Sequence, residues 1–266
     1  MNRVITILTI IIILLAPYSA RADITTGLVG WWKLDDGAGT SASDSTGNLN
    51  TGSMSGFSTP ATGTSGWTPS GKLNGALLFD GNDDQILAGT GATVNDLGPA
   101  TWACWVKRNG TGALMYKSDD NGSAGWWVDI RSANSDVGIA IVRQAGNGRK
   151  YVNMNNLPVG IWTHLVITWD GSLVSLAEVH IYINGVEITT YTANGDGSGP
   201  HTTDAVRTLM IGKGGGGVEG NFSGALDDVR IYNRALSAAD VSELFAYAPS
   251  MPTVIRNAVI RNAVIK

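Results

Sequence analysis

The chain has 266 residues and is 43% hydrophobic, with 35 glycines and nine tryptophans. Its charged fraction is 15%, well under the roughly 25% of an average soluble domain. Glycine and tryptophan in these amounts describe a folded, turn-rich protein and exclude a disordered chain, a collagen helix and a coiled coil. The formal net charge is −4; between residues 22 and 249 it becomes 13 basic against 22 acidic residues, or −9. Such a domain repels phosphate backbones and anionic lipid, which argues against nucleic acid and membrane insertion and in favour of divalent cations.

The chain opens with an export signal. Arg3 supplies a positive start, residues 4–15 are apolar apart from Thr6 and Thr9, and Ala20-Arg21-Ala22 is an A-x-A cleavage site. Residues 1–22 therefore read as a signal peptide, and the apolar run stops short of the about 20 residues that a membrane helix needs. The expected location is secreted, periplasmic or at the cell surface.

Period-two alternation broken by glycine-rich turns then predicts strands over 28–34, 75–80, 101–107, 113–117, 125–131 and 138–143. Residues 161–169 give the clearest long strand, with Thr163, Leu165, Ile167 and Trp169 on one face and Trp162, His164, Val166 and Thr168 on the other. Segments 178–183 and 186–192 flank Asn184-Gly185, a strong hairpin signal, and 206–211 and 225–232 complete the set. Ser237-x-x-Asp240 resembles a capping box, and Val241, Leu244 and Phe245 form one apolar stripe before Pro249. The fold class is all-β: a two-sheet antiparallel jelly-roll sandwich over residues 23–248, with one short C-terminal helix. In the tail 249–266, Val254-Ile255-Arg256-Asn257-Ala258 repeats over 259–263 and begins again at Val264, too short a period for a solenoid; the tail reads as disordered, with a short β-prone strand as the alternative.

Four motifs in order carry a resemblance. They are Gly27-Leu28-Val29-Gly30-Trp31-Trp32-Lys33-Leu34-Asp35-Asp36; Gly75-Ala76-Leu77-Leu78-Phe79-Asp80-Gly81-Asn82-Asp83-Asp84; Trp162-x-His164 followed by Tyr182-x-Asn184-Gly185; and the stretch from Phe222 through Asp227-Asp228-Val229-Arg230-Ile231-Tyr232 to Ser237. The chain is similar, over about residues 27–247, to laminin-G-like jelly rolls of the concanavalin A-like superfamily. That resemblance implies a secreted or surface-displayed sandwich that binds carbohydrate or protein, often with a calcium ion.

Candidate ligands for calcium are Asp80, Asn82 and Asp84, joined by Asp227 and Asp228 if the fold makes them neighbours. The spacing Asp80-x-Asn82-x-Asp84 starts like an EF-hand but lacks its glycine and its bidentate glutamate, since Gln85 and Gly91 stand there. Carboxylates gathered without Lys or Arg repel one another unless a cation sits among them. The bland alternative is turn-forming aspartates bonded to their own backbone.

Candidate sugar contacts are Trp67, on a Ser/Thr/Gly-rich stretch, and the adjacent Trp126 and Trp127, of which alternation turns one inward and one outward. An exposed indole stacks on a sugar ring while its edge stays wet. Trp32, Trp102, Trp105, Trp162 and Trp169 sit in strand patterns and read as core.

No catalytic constellation is expected. A glycosidase needs two carboxyl groups flanking the scissile bond, and Glu178, Glu187, Glu219 and Glu243 lack that spacing. The three histidines are scattered, no G-x-S-x-G occurs, and Gly212-Lys213-Gly214-Gly215-Gly216-Gly217 leads into a strand, not a helix. Cys104, in an apolar run, reads as a core residue with no disulfide partner. The expectation is a non-catalytic module for carbohydrate or a glycosylated surface, with a structural calcium ion; the alternative is a protein-binding adhesive domain.

Overall fold

The computed structural model describes residues 23–247 except 90, 120, 173–177, 196 and 216–219. The expected signal peptide and the repeated tail lie outside the described residues. In chain order the strands are β1 (Leu28–Trp32), β2 (Ser41–Ala42), β3 (Gly52–Ser55), β4 (Gly66–Leu73), β5 (Gly75–Asp80), β6 (Gln85–Leu87), β7 (Ala100–Arg108), β8 (Gly112–Ser118) and β9 (Gly125–Arg131). There follow β10 (Asp136–Asn153), β11 (Thr163–Trp169), β12 (Val179–Ile183), β13 (Val186–Glu187), β14 (Tyr191–Gly195), β15 (Ser198–His201), β16 (Met210–Ile211) and β17 (Ser223–Tyr232), then the helix α1 (Ala238–Ala246).

The strands form two antiparallel sheets, as the jelly-roll expectation requires. The first runs β13-β12-β11-β7-β17-β5-β4, with β1 also pairing with β17. The second runs β14-β10-β9-β8-β16-β6-β3-β2, with β15 on β10. Strand β17 is the hinge of the first sheet: one edge follows β7, while the other pairs with β5 as far as Leu226 and then with β1. A register shift between Asp227 and Arg230 marks the change of partner, and Asp228 takes φ +51° there.

Alternation decides what each strand buries. In β7, Trp102, Cys104 and Val106 enter the core between the sheets; in β11, Leu165, Ile167 and Trp169 do the same. Trp102 meets Trp126 of the opposite sheet at 5.0 Å between ring centroids. Cys104 is buried in this layer as expected, and desolvation pushes its thiol up to about 12, which keeps it protonated and inert.

The outward residues of the first sheet are Ala103, Val166, Tyr182 and Tyr232 in its middle, and α1 covers them with Val241 and Leu244. The expected capping box forms: Asp240 N–H donates to Ser237 Oγ at 3.2 Å, and Ser237 N–H donates back to the Asp240 carboxylate at 3.0 Å. The last turn lays Phe245 on Trp105 and His164, at 5.6 and 5.9 Å. Beyond Trp105 the helix has ended, and the sheet face continues uncovered.

Several strands differ from expectation. The predicted strand 186–192 splits, because β13 stays in the first sheet while β14 crosses to the second. Strand β10 runs on through Gly146 and Gly148 because β14 and β15 supply partners that no local pattern announces. Trp162 stands outside β11 and is half-buried, not core.

Candidate functional site

Two clefts share Trp67. The first, about 300 Å³, is walled by residues 37–40 on one side and 54–61 on the other, with Gly66 and Trp67 closing it. The half-buried Trp67 is fixed by its indole N–H, which donates to the Gly39 carbonyl at 3.0 Å.

The second cleft, about 440 Å³, lies on the first sheet where α1 no longer covers it. Its floor is a single row across the strands. Lys107 pairs with Ala225, Ala225 with Leu78, and Leu78 with Gly66. Since Thr163 pairs with Val106, Trp162 sits beside Lys107 at the far end of the same row. At about 4.8 Å between strands, Trp162 and Leu78 stand some three spacings apart. Asn109, Thr62, Thr68 and Ser70 add polar groups around this floor. Among the described residues, no carboxylate lines either cleft.

The wall between the clefts is held from beneath by Asp84. This fully buried carboxylate accepts from Ser65 Oγ at 3.1 Å and from Asp80 N–H at 2.9 Å. Ser65 Oγ in turn accepts from Ser58 N–H at 2.9 Å, so one acid ties together both ends of loop 58–65. Gly56 lies against the same turn with φ +88°, where a Cβ would stand 2.3 Å from the Asp83 carbonyl oxygen. Only glycine fits that approach. Burial pushes the Asp84 carboxyl up, the charges of Asp80 and Asp83 add to the push, and its two hydrogen bonds oppose it.

Asp80, Asp83 and Asp84 each place a carboxylate oxygen within 4.8 Å of the others. Among the described residues, none of the three has an ion-pair partner. Asp80 is held below its ordinary value, chiefly by the Asn82 N–H. An all-oxygen, anionic donor set fits a hard divalent cation such as calcium.

The expected five-residue set is corrected by the register. Asp80 pairs with Ser223, four residues before Asp227, so about 13 Å of strand separates the two acids. Asp227 instead accepts from Lys72 and Leu73 N–H, both at 2.7 Å, closing the turn between β4 and β5. Its other oxygen is buried without a partner, and desolvation pushes this carboxyl up to about 8. Asp228 accepts from Trp31 Nε1 at 2.6 Å and from Arg230 at 3.0 Å, and the guanidinium lies between Trp31 and Tyr247. Neither acid joins the Asp80 turn.

Asn82 supports the turn by turning its amide to Asp80, at 3.0 Å. Asp83 supplies the third carboxylate, which the alternate-residue reading of the turn passed over.

The indoles need a correction too. Trp126 and Trp127 do point to opposite faces, but they are only 4% and 3% exposed, so neither can receive a sugar. Trp126 is in the inter-sheet core, and Trp127 stacks on Tyr116 at 6.2 Å under Ala140, Val142 and Met210. Trp67 remains, and it is joined by Trp162 and Lys107, which the sequence reading did not select.

The model of the laminin-G-like family, described as the concanavalin A-like lectin/glucanases superfamily, matches residues 80–242. The chain belongs to this superfamily. Solved structures share its superfamily fold at low identity. Domain 4 of AbnA, a GH43 extracellular arabinanase from Geobacillus stearothermophilus, solved in complex with arabinotriose, matches at 21% identity and TM-score 0.51, over 82% of this chain and 97% of that one. The binding domain of Paraclostridial Mosquitocidal Protein 1 matches at 18% and 0.60, and that of Botulinum Neurotoxin DC in complex with SialylT at 14% and 0.56. Each of those two alignments covers 84% of this chain and 52% of the toxin binding domain, so the chain spans about half of their length.

Proposed function

We propose that this chain is an exported, non-catalytic carbohydrate-binding module whose ligand lies along the two clefts that meet at Trp67. The carrying observation is the row Trp162-Lys107-Ala225-Leu78 with Trp67 beyond it: part-exposed Lys107 and Leu78 flank the buried Ala225, and a part-exposed indole stands at either end. Indole faces with polar groups between and around them match a sugar ring, whose C–H face stacks while its hydroxyls reach hydrogen-bonding partners. A lining without carboxylates suits recognition, since hydrolysis needs an acid pair about the scissile bond. A neighbour of the same fold that holds arabinotriose supports the reading.

A calcium ion at Asp80, Asp83 and Asp84 belongs to the same proposal. When bound, it cancels the repulsion among three carboxylates beneath loop 58–65 and so braces the cleft wall.

The test is a glycan array probed with the wild-type chain and with Trp67→Ala and Trp162→Ala. The expected result is a defined set of glycan hits weakened about tenfold by either substitution, equivalent to about 1.4 kcal/mol of lost stacking. Silence from a folded wild type contradicts it.

A protein partner is the second reading. It is favoured by the loop before β11, where Val159 and Ile161 are each 58% exposed next to Trp162. In that case a glycan would fail to compete for the bound partner.

A further inference from the structure

We propose that the sheet-face cleft takes glycans bearing a carboxylate on the sugar ring, with Lys107 selecting the charge and Trp162 receiving the ring. The inference rests on the carbohydrate-binding reading and names the ligand class for it.

Lys107 faces outward from β7 because Val106 and Cys104 face the core. Most cations of this acidic domain are already engaged: Lys117 with Asp204, Arg131 with Asp136, Arg207 with Asp119, Arg230 with Asp228 and Arg234 with Asp240. Lys33, Lys72 and Lys150 lie over aromatic rings. Among the described residues, Lys107 has neither an ion pair nor a ring partner, and it stands mid-floor in a cleft that no carboxylate lines. A part-exposed ammonium with no structural partner among the described residues, in a domain of net charge −9, suits an anion.

The surroundings agree. Asp227 is two residues along β17 from Ala225, but it is fully buried, turns its bonded oxygen to the N–H groups of Lys72 and Leu73, and makes no ion pair with Lys107. Trp162 and Lys107 sit on adjacent strand positions, about 5 Å apart at Cβ for a directly opposed pair. One pyranose can thus lay its C–H face on the indole and turn a ring carboxylate to the ammonium. Uronic acids and sialic acids both present this chemistry.

The test uses the full exported chain and Lys107→Met, at fixed calcium because Asp80 follows Leu78 by two residues on the same face. Binding is titrated against trigalacturonate, its methyl ester, sialyllactose and lactose, at low and high salt. The wild type should prefer at least one acid over its neutral counterpart by about fivefold, the upper end for a partly exposed ion pair. Salt should erode that preference. Lys107→Met should bring the acid down to the level of the neutral sugar with an unchanged unfolding midpoint; if methionine misfolds, Lys107→Gln takes its place. A sialyllactose preference assigns sialic acid, and a trigalacturonate preference assigns a uronic acid. Equal binding of acid and neutral forms, unaltered in the variant, overturns the role of Lys107 while leaving the carbohydrate reading intact. No binding to these probes, together with a silent array, overturns both.

Discussion

Asp84 and Asp227 show how much of this molecule turns on single buried carboxylates. Asp84 accepts from a loop hydroxyl and from a strand N–H, so Asp84→Ala leaves two donors without a partner and frees loop 58–65. Hydrogen bonds to a charged group are worth about 1.5–3 kcal/mol each, and we expect Asp84→Ala to lower denaturant stability by at least about 2 kcal/mol and to weaken glycan binding with it. Asp227 titrates in the opposite sense to a salt-bridged acid. Its folded value, near 8, exceeds its unfolded one, so the native state holds the extra proton between the ordinary carboxylate range and pH 8. Stability therefore falls as pH rises through that window. Asp227→Asn keeps an acceptor for Lys72 and Leu73 N–H without the titration, and its stability between pH 5 and 9 should be flatter than the wild type's. Parallel pH curves would reject that assignment.

The helix α1 sets the boundary of the site, because it covers the sheet only as far as Trp105. Its start depends on the Ser237–Asp240 box, and Ser237→Ala should cost about 1 kcal/mol, seen as a lower denaturation midpoint with an unchanged slope. That box, the Asn184-Gly185 hairpin and the alternating strands β7, β11 and β17 were all legible in the sequence, because their signals are local. Strand β4 was not: Pro69, Gly71 and three polar residues break any alternation, as suits an edge strand. Trp162 illustrates the same limit at the site. Alternation placed it correctly on the face of His164, but whether that face is covered depends on where a helix some 80 residues later stops. Trp127 is the converse case, since its outward face is closed by Tyr116 and the Gly122 loop.

At the scale of the whole molecule, two sheets packed through Trp102 and Trp126 give the frame that carries the two proposed binding clefts. The acidic turn of Asp80, Asp83 and Asp84 joins that frame to the cleft wall. Calcium at 100 times its dissociation constant would add about 2.7 kcal/mol, and each kcal/mol raises the melting temperature by about 2–4 °C in a domain of this size. Asp83 is exposed, so Asp83→Ala should abolish the calcium-dependent shift while leaving the chelated protein's melting temperature nearly unchanged. The same rise in wild type and variant would remove calcium from this turn. The most direct measurement of the central claim is the indole N–H spectrum of the nine tryptophans, titrated with the strongest glycan of the array. The account predicts that Trp67 and Trp162 shift together while Trp102, Trp126 and Trp127 stay fixed. Shifts confined to other indoles, with Trp67 and Trp162 unmoved, would place recognition elsewhere and contradict it.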